Sequence, residues 1–469
     1  MNLNLQLKQQ KVLQLPARDR LKKLMASRMG RYLTRSWFDY TTLWWLTKFY
    51  LPLSRSWAAA ALSEGSIGHF KSELSLTGPI RGIEKIINQV ATFQSEYRAI
   101  QRRWEYNFFD VHEKTHTIDQ EDLIQSELMR RKISHQFMVE GRKLFSSFWL
   151  KYKIPAVRFM IPDQTRMDAK YGSFLTRPQE AYQLPDEFPI VQESSRVNSF
   201  YGKEYWLRFS SSLGETAWAH VFEPENADAN TPTFIYSHGL FVELELLDLS
   251  DEPEIECVQQ GIRVIRLESL GHGRRRVEGW YGGETFLAKL PMSALDFLTT
   301  QVREIATLIN WVRNKGTCRL AVGGTSLGAL VSQMVVAQSK YWPEKLKPDI
   351  LYLSAGCLDT ISLIHRSSLS RKLNISDIML AKKWTTETLS RYKILMEPTE
   401  PLPLGNQNII MILGEYDTVT PYSIALKQVK DWNIPEENLF IRKHGHFTLP
   451  LSLSSNNAPI KFLADKLKQ

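Results

Sequence analysis

Three polar residues stand where they could together cleave an acyl bond. Ser326 is the centre of Gly324-Thr325-Ser326-Leu327-Gly328, while Asp417 and His446 each follow a short apolar run. A serine hydroxyl is a weak nucleophile at neutral pH and needs a base within hydrogen-bond reach. Histidine, with a pKa of about 6.5, can take up and return that proton, and a carboxylate fixes its tautomer. These residue types therefore indicate nucleophilic attack on a carbonyl carbon.

The base and the acid of this set both have alternatives. His444 could replace His446, which we favour because the glycine directly before it permits a sharp turn after the strand. Glu415 or Asp359 could replace Asp417, but Glu415 falls inside the turn that follows the strand. We therefore expect Asp417 to orient the histidine.

Backbone amides are expected to stabilise the negative charge that forms on the carbonyl oxygen. The amide of Leu327 opens the helix after the serine, so the helix dipole supports it. A second donor should come from the loop His238-Gly239-Leu240-Phe241, where the glycine lets the backbone approach closely. We expect the amide of Leu240, or that of Phe241, to be this donor, and the histidine of the loop to be a structural hydrogen-bonding residue.

From residue 205 onward, short apolar runs alternate with helical stretches. The first two runs, 205–209 and 216–222, predict a hairpin. Later runs predict strands at 233–237, 262–267, 320–322, 349–354, 409–413 and 439–442, and helices at 295–314, 422–432 and 459–468. This alternation is typical of a mostly parallel sheet with helices on both faces. Ligands bind at the carboxyl ends of such strands, where all three polar residues are placed.

These features in combination resemble the α/β-hydrolase superfamily over roughly residues 200–469. The motifs that carry the resemblance are His238-Gly239, Gly271-His272-Gly273, the strand–serine–helix turn called the nucleophile elbow, the turn at Asp417, and Gly445-His446-Phe447. The resemblance implies an α/β-hydrolase fold, an acyl-serine intermediate, and no cofactor. It also implies that residues 358–401, too long for a simple connection, form a helical lid over the site.

One motif departs from the pattern of the superfamily. Three arginines follow in Gly271-His272-Gly273-Arg274-Arg275-Arg276. They could recognise a phosphate or carboxylate of the substrate, which makes Arg274 and Arg275, with His238, Gly239 and His272, candidate substrate-binding residues. The alternative is a solvated basic loop.

The net charge of +9 belongs to the N-terminal segment. Residues 1–60 hold 11 Lys and Arg against 2 acids, and the rest holds 59 − 11 = 48 basic and 50 − 2 = 48 acidic residues. Nine aromatic residues are interleaved with arginines and lysines there, as at a bilayer interface. The segment predicts either contact with an anionic membrane surface or a helix packed on the body of the protein. Nucleic acid is not an expected partner, because its binding motifs are missing.

The remaining composition limits compartment and domain organisation. Three scattered cysteines, Cys257, Cys318 and Cys357, argue against a disulfide framework and a zinc site, and we expect no metal. We see neither a signal peptide nor a transmembrane run, so we expect a cytoplasmic protein, compatible with peripheral attachment to the inner membrane face. We divide the chain into a basic aromatic segment (1–60), a mainly helical region with a linker (61–195) and a hydrolase-like domain (196–469).

Three functions remain open on the sequence. A serine hydrolase of the esterase, lipase or thioesterase kind would cleave an ester or thioester of a small-molecule or lipid acyl substrate. An acyltransferase would use the same three residues. A non-catalytic scaffold at a membrane surface would use only the fold.

Overall fold

The computed structural model describes residues 36–110, 118–241, 252–316, 318–398, 400–454 and 456–469. Its first part, residues 36–171, is an N-terminal helical layer. The helices of this layer are α1 Ser36–Trp45, α2 Leu51–Ser63, α3 Ile67–Glu73, α4 Ile83–Glu105, α5 Gln120–His135, α6 Gly141–Lys143, α7 Phe148–Tyr152 and α8 Gln164–Tyr171. Short π-helical turns at Leu46–Tyr50, Tyr106–Asp110 and Gln136–Glu140 continue α1, α4 and α5.

Helical spacing of apolar residues explains the longest helix of the layer. In α4, Ile83, Ile87 and Val90 are buried at intervals of four and three residues. The same spacing in the sequence predicts helices at 80–103 and 121–152. The first is confirmed as α4, whereas the second is divided into α5, α6 and α7. The chain is helical without interruption from Gln120 to Lys143, and the break lies at residues 144–147, which form turns.

A mixed sheet forms the second part of the molecule. Its strands are β1 Gln192–Glu193, β2 Val197–Ser199, β3 Gly202–Ser210, β4 Thr216–Glu223, β5 Thr233–Ser237, β6 Arg263–Leu267, β7 Leu320–Thr325, β8 Ile350–Ser354, β9 Ile409–Gly414 and β10 Leu439–Arg442. Their order is β1-β3-β4-β6-β5-β7-β8-β9-β10, with β2 beside β3. The pairs among β5 to β10 are parallel, and β4 pairs antiparallel with both β3 and β6. The strands predicted from the sequence are confirmed within about three residues at each end.

Helices cover both faces of this sheet. They are α9 Glu252–Gln259, α10 Glu284–Ala288, α11 Met292–Lys315, α12 Leu327–Gln338, α13 Thr360–Arg366, α14 Ser368–Lys372, α15 Ile375–Ala381, α16 Thr386–Ser390, α17 Lys393–Met396, α18 Tyr422–Asp431, α19 Thr448–Leu451 and α20 Ala458–Lys468. Buried side chains of α9 and α20 form one apolar core with the sheet, and those of α11, α12 and α18 form the other. Strands buried on both faces explain their continuous apolar runs.

The N-terminal helical layer packs on the antiparallel edge of the sheet. Trp104 of α4 meets Trp206 of β3 edge to face, with ring centroids 4.9 Å apart. Trp218 of β4 and Phe108 complete this aromatic cluster. The layer and the sheet therefore share a continuous apolar contact, which fixes where the layer lies.

Candidate active site

Ser326 occupies a strained turn between β7 and α12. Its φ and ψ angles are 58° and −116°, in a region that non-glycine residues rarely adopt. A Cβ atom at Gly324 would lie 2.4 Å from the carbonyl oxygen of Ser237, and one at Gly328 would lie 2.0 Å from the same oxygen. Both glycines are therefore needed for α12 to start this close to β5, with the serine at the tip of the turn.

His446 and Asp417 form a continuous hydrogen-bond chain with this serine. The Nε2 atom of His446 lies 3.0 Å from Ser326 Oγ, and its Nδ1 atom lies 2.8 Å from Asp417 Oδ2. His446 is 8% exposed and Asp417 4%. The three residues come from the carboxyl ends of β7, β9 and β10, as the sequence placed them.

Hydrogen bonds from the residues that follow it hold the side chain of Asp417 in place. Its Oδ1 atom accepts from the amides of Val419 and Thr420, each at 2.9 Å, and Oδ2 also accepts from the Thr420 hydroxyl at 2.8 Å. With Nδ1 of His446, these contacts give the carboxyl group four polar neighbours that fix its orientation. The group is therefore suited to hold the Nδ1–H tautomer of His446.

The alternative acid and base residues lie elsewhere. Asp359 caps α13 and accepts from the amide and hydroxyl of Ser362. Glu415 is exposed. His444 is half-buried, and burial followed by the charge of Arg442 lowers its pKa.

The environment of His446 favours its protonated form. Burial by itself would lower the pKa of His446, but the charge of Asp417, the hydrogen bond to it and the charge of Asp39 raise that pKa above the usual 6.5. A histidine with a raised pKa is a stronger proton acceptor. The cost of forming an imidazolium here is thereby reduced.

Leu327 and Leu240, the residues expected to donate to an oxyanion, both lie near Ser326. Leu327 is the first residue of α12, where amides have no partner within the helix. Leu240 lies in the loop after β5, and both residues line the same cavity as Ser326. The amide of Phe241, the alternative donor, is occupied because it donates to Nε2 of His272 at 3.3 Å. The geometry thus favours Leu240 over Phe241.

His238 and His272 contact backbone groups and do not line the cavity. His238 contacts the carbonyl oxygen of Gly239 through Nδ1 at 2.8 Å and accepts from the amide of Ser269 through Nε2 at 3.2 Å. Both His238 and His272 are buried, and neither lines the cavity. Gly239 packs on the nucleophile, since a Cβ atom there would stand 3.4 Å from Ser326 Cβ. All three therefore shape the loop that carries Leu240, and substrate contact by them is not supported.

An apolar cavity of about 180 Å³ opens beside Ser326 and His446. Leucine, isoleucine, phenylalanine and methionine side chains make up most of its wall. None of the described residues that line it is Asp, Glu, Lys or Arg. A wall without charge suits an uncharged, apolar group, because no ionic partner offsets the desolvation of a charged one.

The residues expected to form a lid supply one side of this cavity. Helices α13, α14, α15 and α17 contribute Thr360, Leu363, Ile364, Leu369, Ile375 and Met396, among others. The N-terminal segment supplies another lining residue, Leu46, directly after α1. The segment therefore docks at the cavity, which the sequence could not decide.

The arginines after Gly273 do not face the cavity, which corrects both interpretations of this loop. Arg275 is 4% exposed and makes a bidentate contact with Glu304 at 2.7 and 2.8 Å, as well as a contact with Glu215 at 2.6 Å. Arg274 pairs with Glu268 at 2.7 Å and lies over the rings of Trp104 and Trp218. Because their guanidinium groups are buried in ionic and aromatic contacts, they neither bind a substrate anion in the cavity nor form a solvated loop.

The described part of the basic aromatic segment exposes aromatic side chains on α1 and buries side chains on α2. Trp37, Tyr40, Trp44 and Trp45 of α1 are each about half exposed, from 45% to 62%. Arg55 and Trp57 of α2 are buried instead, so these two members of the predicted interfacial set pack inside the protein. Residues 1–35, with nine of the eleven basic residues, lie outside the described part.

The order of the strands decides the fold. From β3 to β10 it runs β3-β4-β6-β5-β7-β8-β9-β10, with an antiparallel β4 and the serine turn after the central strand β7. The base and acid follow the last strands of the parallel part. This is the α/β-hydrolase fold. A long insertion lies between β8 and β9 and contains α13 to α17.

Comparison with known proteins finds similarity in structure only. No family model and no curated protein matches the sequence significantly. A cold-adapted esterase from an Arctic intertidal metagenomic library is 12% identical at a TM-score of 0.38, covering 58% of this chain and 97% of its own. Acetyl xylan esterase 1 from Thermoanaerobacterium sp. JW/SL YS485 is 17% identical at 0.42, with coverages of 61% and 93%. Acylaminoacyl peptidase from Pyrococcus horikoshii is 13% identical at 0.39, with coverages of 60% and 49%. Similarity this low says nothing of substrate or activity.

Two features are absent from the part of the chain that the structure describes. No helix there has the length and apolar character to cross a membrane. No group of three or more His, Cys, Asp or Glu side chains there is arranged to hold a metal ion. The three cysteines are buried and unpaired by disulfides.

Proposed function

We propose that the chain is a serine hydrolase that cleaves an ester or thioester of an apolar acyl group. The observation that carries this proposal is the chain of hydrogen bonds from Asp417 through His446 to Ser326, which ends at an uncharged cavity. A scaffold without activity would not need a strained serine and two buried partners for it.

The reaction follows from these positions. His446 Nε2 takes the proton of Ser326 Oγ as the oxygen attacks the acyl carbonyl carbon. The amides of Leu327 and Leu240 donate to the resulting oxyanion, and Asp417 stabilises the imidazolium. His446 then protonates the leaving alkoxide or thiolate, which departs and leaves an acyl-serine. Water, deprotonated by the same histidine, releases the acid and restores Ser326.

The cavity supports an apolar acyl chain as the group that is bound. The acyl part would lie among the leucines and isoleucines of α13 to α15 and α11, where burial contributes roughly 0.8 kcal/mol per CH₂ group. An acyl chain with a charged end would lose its hydration without gaining an ionic partner.

A fluorophosphonate probe tests the nucleophile directly. Such a probe labels a serine only when base and oxyanion donors surround it. We expect labelling of the wild type, and none of Ser326→Ala, together with hydrolysis of p-nitrophenyl esters. Ser370→Ala is the matched control, because Ser370 also lines the cavity but bonds to the carbonyl of Ile364. Labelling that persists in Ser326→Ala, or a folded wild type that is never labelled, would refute the proposal. Addition of an alcohol or thiol acceptor, with product analysis, distinguishes hydrolysis from acyl transfer.

We also propose that the exposed face of α1 contacts an anionic lipid surface. Half-exposed tryptophans beside an N-terminal sequence with nine basic residues and one acid favour a bilayer interface over bulk water. The double variant Trp37→Ala/Trp44→Ala should lose binding to phosphatidylglycerol vesicles, whereas Tyr341→Ala, an exposed aromatic elsewhere, should not. High salt should weaken the binding of the wild type. Equal binding of all three proteins would rule this contact out.

A further inference from the structure

The N-terminal segment places a second carboxylate beside the loop that carries His446. Asp39 lies on α1, on the face opposite the exposed tryptophans, and is 7% exposed. The amide of Phe447 donates to its Oδ2 atom at 3.2 Å. The hydroxyl of Thr448 lies 3.4 Å from its Oδ1 atom. The residues directly after His446 are therefore bonded to a side chain 408 positions away.

The residue directly before His446 is in close contact with the same carboxylate. A Cβ atom at Gly445 would lie 2.2 Å from Asp39 Cγ, so the glycine is what lets α1 approach this closely. The amide of Gly445 also donates to Thr448 Oγ1 at 3.0 Å. Asp39 thus closes a small network over residues 445, 447 and 448, on both sides of the histidine.

We propose that Asp39 is a positioning residue for His446, so that α1 is part of the active site. This inference rests on the proposed function. Asp39 fixes the backbone on both sides of the histidine, while Asp417 fixes the ring itself through Nδ1. Without Asp39, the loop keeps its residues but loses the contact that sets the distance from Nε2 to Ser326.

Several charged groups surround Asp39, and their signs matter. Burial, the largest influence, raises the pKa of Asp39 above its usual value. The charge of His446 lowers the pKa of Asp39, and the charge of Asp417 raises it further. Asp39 also lines a surface crevice. The charged residues that line it with Asp39 include Glu415, in the turn after β9, and Arg371 and Lys372 of α14. The charge of Asp39 in turn contributes to the raised pKa of His446.

Three variants with one control test the proposal. Asp39→Ala should lower kcat for a p-nitrophenyl ester at least tenfold with little change in KM, since the cavity for the acyl group is intact. Asp39→Asn keeps the size and one acceptor oxygen and should retain more of the activity. It should also move the acid limb of the kcat/KM profile to lower pH, because His446 loses a stabilising negative charge. The control Asp186→Asn, an exposed acid, should behave as wild type.

The third variant measures the contact without using activity. Gly445→Ala should lower the melting temperature in the wild-type background, where its Cβ atom meets Asp39, and lower it less in the Asp39→Ala background. Equal losses in both backgrounds would show that α1 does not hold this loop.

The outcomes separate this inference from the function on which it rests. A wild type that is not labelled by the fluorophosphonate probe refutes the proposed function, whatever the variants do. A labelled wild type whose Asp39→Ala variant keeps kcat and the acid limb refutes the role of Asp39 alone. Loss of kcat in folded Asp39→Ala, together with an acid limb at lower pH in Asp39→Asn, supports it.

Discussion

The cavity beside Ser326 has an uncharged wall. In contrast, the contact between the helical layer and the hydrolase-like domain contains buried charged side chains. No described residue that lines the cavity carries a formal charge, apart from the histidine when protonated. At the contact, Arg55 of α2 is 1% exposed and pairs with Glu73 at 2.9 Å, with Glu284 of the hydrolase domain 3.8 Å away. Arg275 and Glu304 form a second buried pair within the domain.

The difference corresponds to two tasks, holding parts of the protein together and binding a substrate. Buried ion pairs have fixed directions and are costly to leave incomplete, so they define how two parts of a protein fit together. An apolar wall has no preferred direction and can accept chains of different lengths. The molecule thus uses ionic contacts where its own parts must fit one way, and apolar contacts where a substrate must enter and leave.

The largest expected effect comes from Asp417, the buried acidic residue that orients His446 beside the cavity. Asp417→Asn keeps the shape but favours the wrong tautomer of His446, and we expect kcat to fall by roughly 10⁴-fold. Steady-state kinetics on a p-nitrophenyl ester, with circular dichroism as the check on folding, would measure this. A loss of less than tenfold would indicate that another group orients His446.

Breaking the pair of Arg275 should affect stability rather than catalysis. Arg275→Met leaves Glu304 buried without its partner, which should cost about 3–5 kcal/mol of unfolding free energy. The control Lys347→Met breaks a surface pair with Glu344 and should cost less than about 1 kcal/mol. Urea unfolding gives both values. Activity per fluorophosphonate-labelled site should stay near wild type, and a selective loss of kcat in Arg275→Met would contradict the separation.

Glu284 makes the same contact dependent on pH. Burial, opposed by the charge of Arg55, raises the pKa of Glu284 from 4.5 to about 7. The folded state therefore keeps a proton that the unfolded state loses between these values, so the contribution of Glu284 to stability decreases as pH rises from about 4.5 to 7. Glu284→Gln lacks this decrease. Relative to wild type, its free energy of unfolding should therefore increase by up to about 3 kcal/mol as pH rises across that range. Urea unfolding at several pH values would test it, and a constant difference would show that Glu284 titrates normally.

The smallest expected effect concerns the length of the acyl chain. Ala294 lines the cavity, and Ala294→Phe should fill part of it. We expect kcat/KM to fall about tenfold for a long-chain ester and to change little for an acetyl ester. A chain-length series of p-nitrophenyl esters measures this. Equal effects on both esters would place the acyl chain outside this cavity.

Local patterns in the sequence predict the sheet and the three polar residues well. The positions around Ser326 must be glycines for reasons of close approach, and that constraint is visible as a motif. Asp417 follows β9, which is buried along its whole length, and His446 follows the short, half-exposed edge strand β10; both strands read as apolar runs in the sequence. Their catalytic roles remain predictions until the variants are measured.

Residues whose partners are distant in sequence could not be predicted in this way. Arg275 lies 29 positions from Glu304 and 60 from Glu215, so no local pattern distinguishes it from a solvated or ligand-binding arginine. Asp39 is one of the two acids in the basic segment 1–60, and nothing near it in sequence indicates its contact with Phe447. Tertiary packing alone decides both.

The contact between Asp39 and the loop after His446 also sets an order in time. The ribosome makes α1 before residues 445–448, and Asp39 and Phe447 are 408 positions apart. At about 5–20 residues per second, roughly 20 to 80 s pass between the synthesis of the two partners. Throughout translation of the intervening chain, the serine turn can form while its histidine has yet to be made. Until residue 446 is made, Ser326 lacks the histidine that lies 3.0 Å from it, and the contact of Asp39 with this loop can form only after residue 447 has followed.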